Sequence, residues 1–257
     1  GLVALPGGHV PLYSRFRALE RPPAFYADAK AACNAAGVKF LCSVFGKQSA
    51  RGLAELSEEV KIASPELNHL PLLRLCRRLF RRIVVSSGVS TSDDVAEALA
   101  ELNSGETCLL HCVTAYPAPP EDYNLRVIPR LRSRFRVAVG VSDHSIDPVL
   151  IPTLSAAVGA ACIEKHITLD RSSGGLDDPV ALEPQDFRRM CRSVRSLSDR
   201  TLQERLQLCR EEFGGERCEA VLGDGVKRLA ASEVDNYGRT NRSIHAIADL
   251  PATHRLR

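Results

Sequence analysis

Two histidines could do chemistry together. His144 follows the apolar run Val137 to Val141 in the string Ser142-Asp143-His144, and His166 follows a second apolar run in Glu164-Lys165-His166. The stretch between them, Pro148 to Gly159, has helical character. Strand, helix, strand, with a histidine at the C-terminal end of each strand, describes a βαβ unit. A right-handed crossover sets the two strands side by side and parallel, so both imidazoles reach one sheet edge. That edge is where sites collect in parallel α/β sheets. Two neutral imidazoles with a nearby carboxylate suit a divalent metal. A single strand-end histidine is more often a hydrogen-bonded structural residue. Two on one unit, beside Asp143 and Lys165, weigh toward function.

The elements that must position them repeat along the chain. Apolar runs begin near residues 38, 60, 83, 108, 137 and 162, about 22 to 29 residues apart, with helical stretches between them. This βα repetition predicts a parallel sheet. No GxGxxG follows any strand, so a TIM (β/α)8-type barrel fits better than a dinucleotide-binding fold. About six βα units make that barrel incomplete. Residues 1–21 read as loop, or as a remnant of a missing N-terminal part. Residues 22–213 read as the partial barrel, and 214–257 as a polar linker leading toward a further domain. Ser90 or Ser92 is the expected N-cap of the helix after the third strand.

In such a barrel the last residue of each strand lines the site. Those positions carry Ser43; Lys61, Ser64 and Glu66; Ser86 and Ser87; His111, Thr114 and Tyr116; Ser142, Asp143 and His144; Glu164, Lys165 and His166; and Asp177 in a glycine-rich loop. Lys61 lies between Val60 and Ile62, so strand alternation points it into the barrel. Hydroxyls and a lysine suit a phosphate or carboxylate. A metal with an open position suits a carbonyl that must be polarised. Together they point to a phosphorylated small molecule and an aldehyde or ketone.

Composition narrows the field. Of 257 residues, 44% are hydrophobic and 25% charged, and the net charge is +3, an ordinary globular balance that predicts neither nucleic-acid nor membrane binding. The arginine clusters read as solvated surface. Nine cysteines, odd in number and without CxxC spacing, describe a reducing compartment, taken here as the cytoplasm.

Seven strings in order resemble the sialic acid synthase family, which includes legionaminic and pseudaminic acid synthases: KIASPELNHLPLL, VVSSGVST, LLHCVTAYPAPPEDYNLRVI, VGVSDHS, IEKHITLD, GLDDPVALEP and LGDGVKRLAASEVDN with NRSI. The resemblance implies a TIM barrel followed by a small antifreeze-like (SAF) domain, a homodimer, and a divalent ion, Mn2+ or Mg2+, held by His144 and His166. It implies condensation of phosphoenolpyruvate with N-acetylmannosamine or a related acetamido sugar. It casts Lys61, Glu66 and His166 as catalytic, with Glu66 acting on the attacking water. Ser43, Ser64, Ser86, Thr114, Tyr116, Ser142 and Asp177 would bind substrate.

Departures are specific. The family's opening strands, with an early glutamate and a second lysine, have no counterpart, and the SAF domain is cut short. Asp178 replaces a histidine, Val44 a proline and Ala231 a proline. These departures predict a fragment or a degenerate copy. The alternative function is then a non-catalytic metal- or phosphosugar-binding remnant. A lyase with a Schiff-base lysine is a further alternative that needs no metal pair. Within the synthase reading, a diamino sugar acceptor would give legionaminic or pseudaminic acid.

Overall fold

A computed structural model describes residues 2–5, 8–102, 106–244, 246, 248–251 and 255. The chain opens on an antiparallel pair, β1 (Leu2–Leu5) and β2 (Gly8–Pro11), followed by α1 (Leu12–Leu19). That differs from the loop expected over 1–21. The local pairing is a short hairpin separate from the main sheet.

The main sheet has five parallel strands among the described residues: β3 (Glu59–Ile62), β4 (Arg82–Ser86), β5 (Glu106–Cys112), β6 (Ala138–Asp143) and β7 (Ile163–Lys165). Their spatial order follows their sequence order, with no reversal, forming a curled half-barrel. Unreversed order is what distinguishes barrel winding from a doubly wound sheet.

The six-strand expectation is corrected at residues 38–44. That stretch joins β3 only through an isolated bridge, Ser43 to Lys61. Val44 N–H donates to the Lys61 carbonyl at 3.2 Å and Lys61 N–H to the Cys42 carbonyl at 2.9 Å. Val38 and Leu41 upstream are exposed. An apolar run becomes a strand only where a neighbour supplies a ladder and a face to bury, and this run finds a partner only at its end. On the other side, Leu182 bridges to Ile167, so the glycine-rich loop returns beside β7.

Helix α2 (Pro23–Ala35) has no buried residue; the helices that follow cover the sheet's outer side, α3 (Lys47–Ala54) before β3, then α4 (Leu70–Leu79), α5 (Ser92–Glu101), α6 (Val127–Phe135), α7 (Leu150–Ala157), α8 (Pro184–Ser196), α9 (Leu202–Phe213) and α10 (Gly215–Leu222). Period-2 alternation divides every strand. Val60, Ile62, Ile83, Val85, Leu109, Val139 and Val141 are buried in the core with Leu72, Leu75, Val95, Ile128, Leu131 and Leu154 from the helices. The alternate positions, Lys61, Ser86, Cys112 and Ser142, line a cavity. Helix α7 is buried on nearly all its residues because β6, α8 and α9 all pack against it. Its composition, LIPTLSAA, is apolar enough for that position.

The cap of α5 is Thr91, between the two expected serines. Its hydroxyl accepts from Asp94 N–H while the Asp94 carboxylate reaches back to Thr91 N–H, and that reciprocal pair selects Thr91. Beyond α10 the chain folds back over the half-barrel through a 3-10 turn, Ala231–Asn236. Ser232 N–H donates to Asp122 and Asn124 Nδ2 donates to the Val226 carbonyl. No helix among the described residues is long and apolar enough to cross a membrane.

Candidate active site

A cavity of about 470 Å3 opens at the C-terminal ends of the strands. Ser43, Lys61, Ser64, Ser86, Thr114, Tyr116, Ser142, His144 and His166 all line it, so the half-barrel brings together nine of the eleven site residues that the family resemblance assigned, without Glu66 and Asp177. Asp143, Glu164 and Lys165, also expected at strand ends, line it too, with Cys112 and Thr240.

Lys61 is 6% exposed. Its ammonium donates to Ser86 Oγ at 2.7 Å and pairs with Glu164 Oε2 at 3.3 Å. Ser142 Oγ donates to the other Glu164 oxygen at 2.8 Å. A cation, two hydroxyls and a carboxylate therefore form one connected patch across β3, β4, β6 and β7. Such a patch holds an anion beside a proton acceptor.

The histidines form the opposite wall. His144 Nδ1 lies 2.8 Å from the Val113 carbonyl, which assigns the proton to that nitrogen and leaves the Nε2 lone pair toward the cavity. Cys112 Sγ lies 4.0 Å from the same nitrogen, the longer of its two contacts. The Tyr116 phenol donates to Nε2 at 3.2 Å, and its ring stacks on His144 with centroids 4.2 Å apart. His144 and His166 ring centroids are 5.4 Å apart. Asp177 Oδ2 lies 3.8 Å from His166 Nδ1. Burial pulls His166 below the ordinary imidazole value against the opposing charge of Asp177. Burial also opposes charge on His144, but Cys112 and the Val113 carbonyl outweigh it, and the net shift is upward.

A divalent ion fits this wall in donor type: two imidazoles, one with its tautomer set by a backbone carbonyl. No group of three His, Cys, Asp or Glu side chains among the described residues gathers into a metal-binding array. The protein's share would be the two imidazoles, with Asp177 beside one of them.

Lys165 and Asp143 form the frame behind the site. Lys165 Nζ donates to Asp143 Oδ2 at 2.8 Å and to the Ser145 carbonyl, and both side chains are buried. Asp143 Oδ1 accepts from the Tyr123 hydroxyl and from Ser145 N–H. With both its oxygens engaged, Asp143 braces the strand ends.

Glu66 stands outside the cavity wall. It is 2% exposed, and Arg242 Nε approaches its two oxygens at 2.7 and 2.9 Å. His69 Nδ1 sits 2.8 Å from Oε2. Arg242 also donates to the Phe45 carbonyl, and its backbone exchanges two hydrogen bonds with the Asn68 side chain. Sequence reading placed Arg242 in the linker and start of a truncated SAF domain and missed this contact, as it missed Thr240 and Cys112 in the wall. The string around Arg242 was a signal of resemblance, but no local periodicity says where such a segment lands.

Comparisons with known proteins bear on the family and the fold. The family model described as the NeuB family matches residues 6–204. The N,N'-diacetyllegionaminic acid synthase of Campylobacter jejuni is 32% identical over 85% of this chain and 60% of its own length. The N-acetylneuraminate-9-phosphate synthase of Drosophila melanogaster is 30% identical over 90% of this chain and 64% of its own. The crystal structure of the Bacillus subtilis spore coat polysaccharide biosynthesis protein SpsE superposes with a TM-score of 0.74 at 33% identity, covering 88% of this chain and 62% of that one. The chain thus spans roughly three fifths of the length of these relatives.

Proposed function

The chain belongs to the NeuB family, and from that membership we propose that its site joins phosphoenolpyruvate to the aldehyde of an N-acetylmannosamine-type sugar, giving a nonulosonic acid and inorganic phosphate. The observation that carries this reading is one cavity with an anion-holding patch, Lys61, Ser86 and Ser142, facing an imidazole pair, His144 and His166. The Campylobacter relative is named for a legionaminic acid product, so a diamino sugar is the alternative acceptor.

Lys61, Ser86, Ser64 and Ser43 bind the phosphate and carboxylate of the enolpyruvate. Its carbon 3 forms the new bond to the aldehyde carbon. Water then adds at carbon 2, and phosphate departs by breaking its C–O bond. A divalent ion, manganese or magnesium, held by His144 and His166 would polarise the aldehyde. Tyr116 and Thr114 line the acceptor side. The carboxylate nearest the anion patch is Glu164, with one oxygen on Lys61 and one on Ser142. Because it lines the cavity, it is placed to take the water proton; Glu66, cast in that part by the family resemblance, lies outside the wall and would first have to leave Arg242 and His69.

Phosphate release with phosphoenolpyruvate, Mn2+ and each candidate sugar tests the proposal. His144→Ala should abolish release and weaken Mn2+ binding about a hundredfold. A second reading, binding without turnover, is favoured by the tie between Glu66 and Arg242. Tight Mn2+ binding with no phosphate release from any sugar would establish that reading instead.

A further inference from the structure

Glu233 lies beyond the strands, in the 3-10 turn Ala231–Asn236, and is 1% exposed. A carboxylate so buried needs strong donors. Oε1 accepts from Thr114 N–H and from Val89 N–H, each at 2.7 Å. Oε2 accepts from Ala230 N–H at 3.1 Å. Lys227 supplies the nearby positive charge, its ammonium donating to the Ser87 carbonyl at 3.2 Å.

Thr114 belongs to the wall of the site, and Val89 lies in the turn after β4. The N–H of Thr114 shares its peptide unit with the carbonyl of Val113. In a trans peptide these two groups point in opposite directions. The Val113 carbonyl is the group that receives His144 Nδ1 at 2.8 Å. Glu233 and His144 therefore hold the two ends of one peptide group. The other amide, Val89, sits at φ 47, a left-handed conformation that a β-branched residue resists. Next to it, Gly88 N–H donates to Ser64 Oγ at 3.0 Å, and a Cβ built on Gly88 would lie 1.9 Å from Thr114 Oγ1. The strained turn and the Thr114 loop are pressed together, and Glu233 binds both.

We propose that Glu233 is a positioning residue: through the Val113–Thr114 peptide it sets the orientation of His144 and of the Tyr116 loop stacked on it. This rests on the reading of His144 as a metal-binding residue. The carboxylate acts as an outer partner of the imidazole with one peptide group interposed. Polarisation along such a chain strengthens each bond in it. Partners of this kind commonly govern metal affinity by about ten- to a hundredfold when lost.

Hydrogen exchange and Mn2+ titration on the full chain, with Glu233→Ala and Glu233→Gln, test it. Glu233→Ala should lose protection at the Val89 and Thr114 amides, keep it through β4 and β6, and weaken Mn2+ binding about tenfold or more. Glu233→Gln retains an acceptor oxygen and should recover a large part of both. Affinity for N-acetylmannosamine should fall more than affinity for phosphoenolpyruvate, a split that general loosening would not produce. Unchanged exchange at the two amides overturns the proposal, as does unchanged Mn2+ affinity in a parent chain that binds the ion. A parent chain that binds no Mn2+ instead defeats the metal reading of His144, and the exchange at Val89 and Thr114 then decides the brace alone.

Discussion

At the scale of single residues, the site is defined by which lone pairs are already taken. The Tyr116 phenol donates to the one His144 nitrogen that faces the cavity. The divalent ion proposed there would have to displace that hydrogen bond. Tyr116→Phe should therefore tighten Mn2+ binding by a few fold while weakening the sugar, read by titration with each ligand. Glu66 is the opposite case, a buried carboxylate satisfied by Arg242 and His69. Arg242→Met leaves that charge with one neighbour and should cost about 1–3 kcal/mol in denaturant unfolding, since the arginine is half-exposed and its pairing is partly screened. Adding Glu66→Gln should return much of the loss. The chemistry-bearing residue types were legible in the sequence, because strand ends, alternation and the ordered motifs mark them. The pairing of Glu66 with Arg242 was not, because that partner lies far along the chain.

At the scale of elements, periodicity carried most of the reading. Each helix between β3 and β7 follows an apolar face, and each strand alternates core with cavity. Where the reading moved, a single contact was responsible. Asp94 selected Thr91 as the α5 cap, and a lack of partners kept residues 38–44 out of the sheet except at Ser43. The closeness of β6 to the turn before β7 is equally contact-dependent. A Cβ on Gly140 would stand 2.4 Å from the Cys162 carbonyl and 2.7 Å from Cys162 Sγ. Backbone cannot yield as a flexible side chain can, so Gly140→Ala should destabilise by about 1–3 kcal/mol, seen as a lower midpoint at unchanged denaturant slope.

At the scale of the whole molecule, the segment after α10 closes the outer side of β5 over His111. That imidazole donates from Nε2 to the Tyr123 carbonyl, and Nδ1 has no hydrogen-bond partner. Burial, helped by the charge of Lys227, pulls its pKa down to about 3 from an ordinary 6.5. Between those values the unfolded chain takes up a proton that the folded chain refuses. The stability from this group is thus whole above pH 6.5 and is lost as pH falls, on the order of 3 kcal/mol by pH 4. Urea unfolding from pH 7 to 4 should show that decline, and His111→Gln should flatten it. By itself the sequence determined the parallel βα order, the alternation that turns Lys61, Ser86 and Ser142 inward, and the histidine pair on one βαβ unit, because those follow from short-range periodicity and chain direction. Only the tertiary structure decided that Arg242 occupies Glu66, that Glu164 faces Lys61, and that Glu233 grips the peptide behind His144. Each of these joins residues 100 or more positions apart, or on separate strands, and a buried carboxylate takes whichever donors the fold delivers to it.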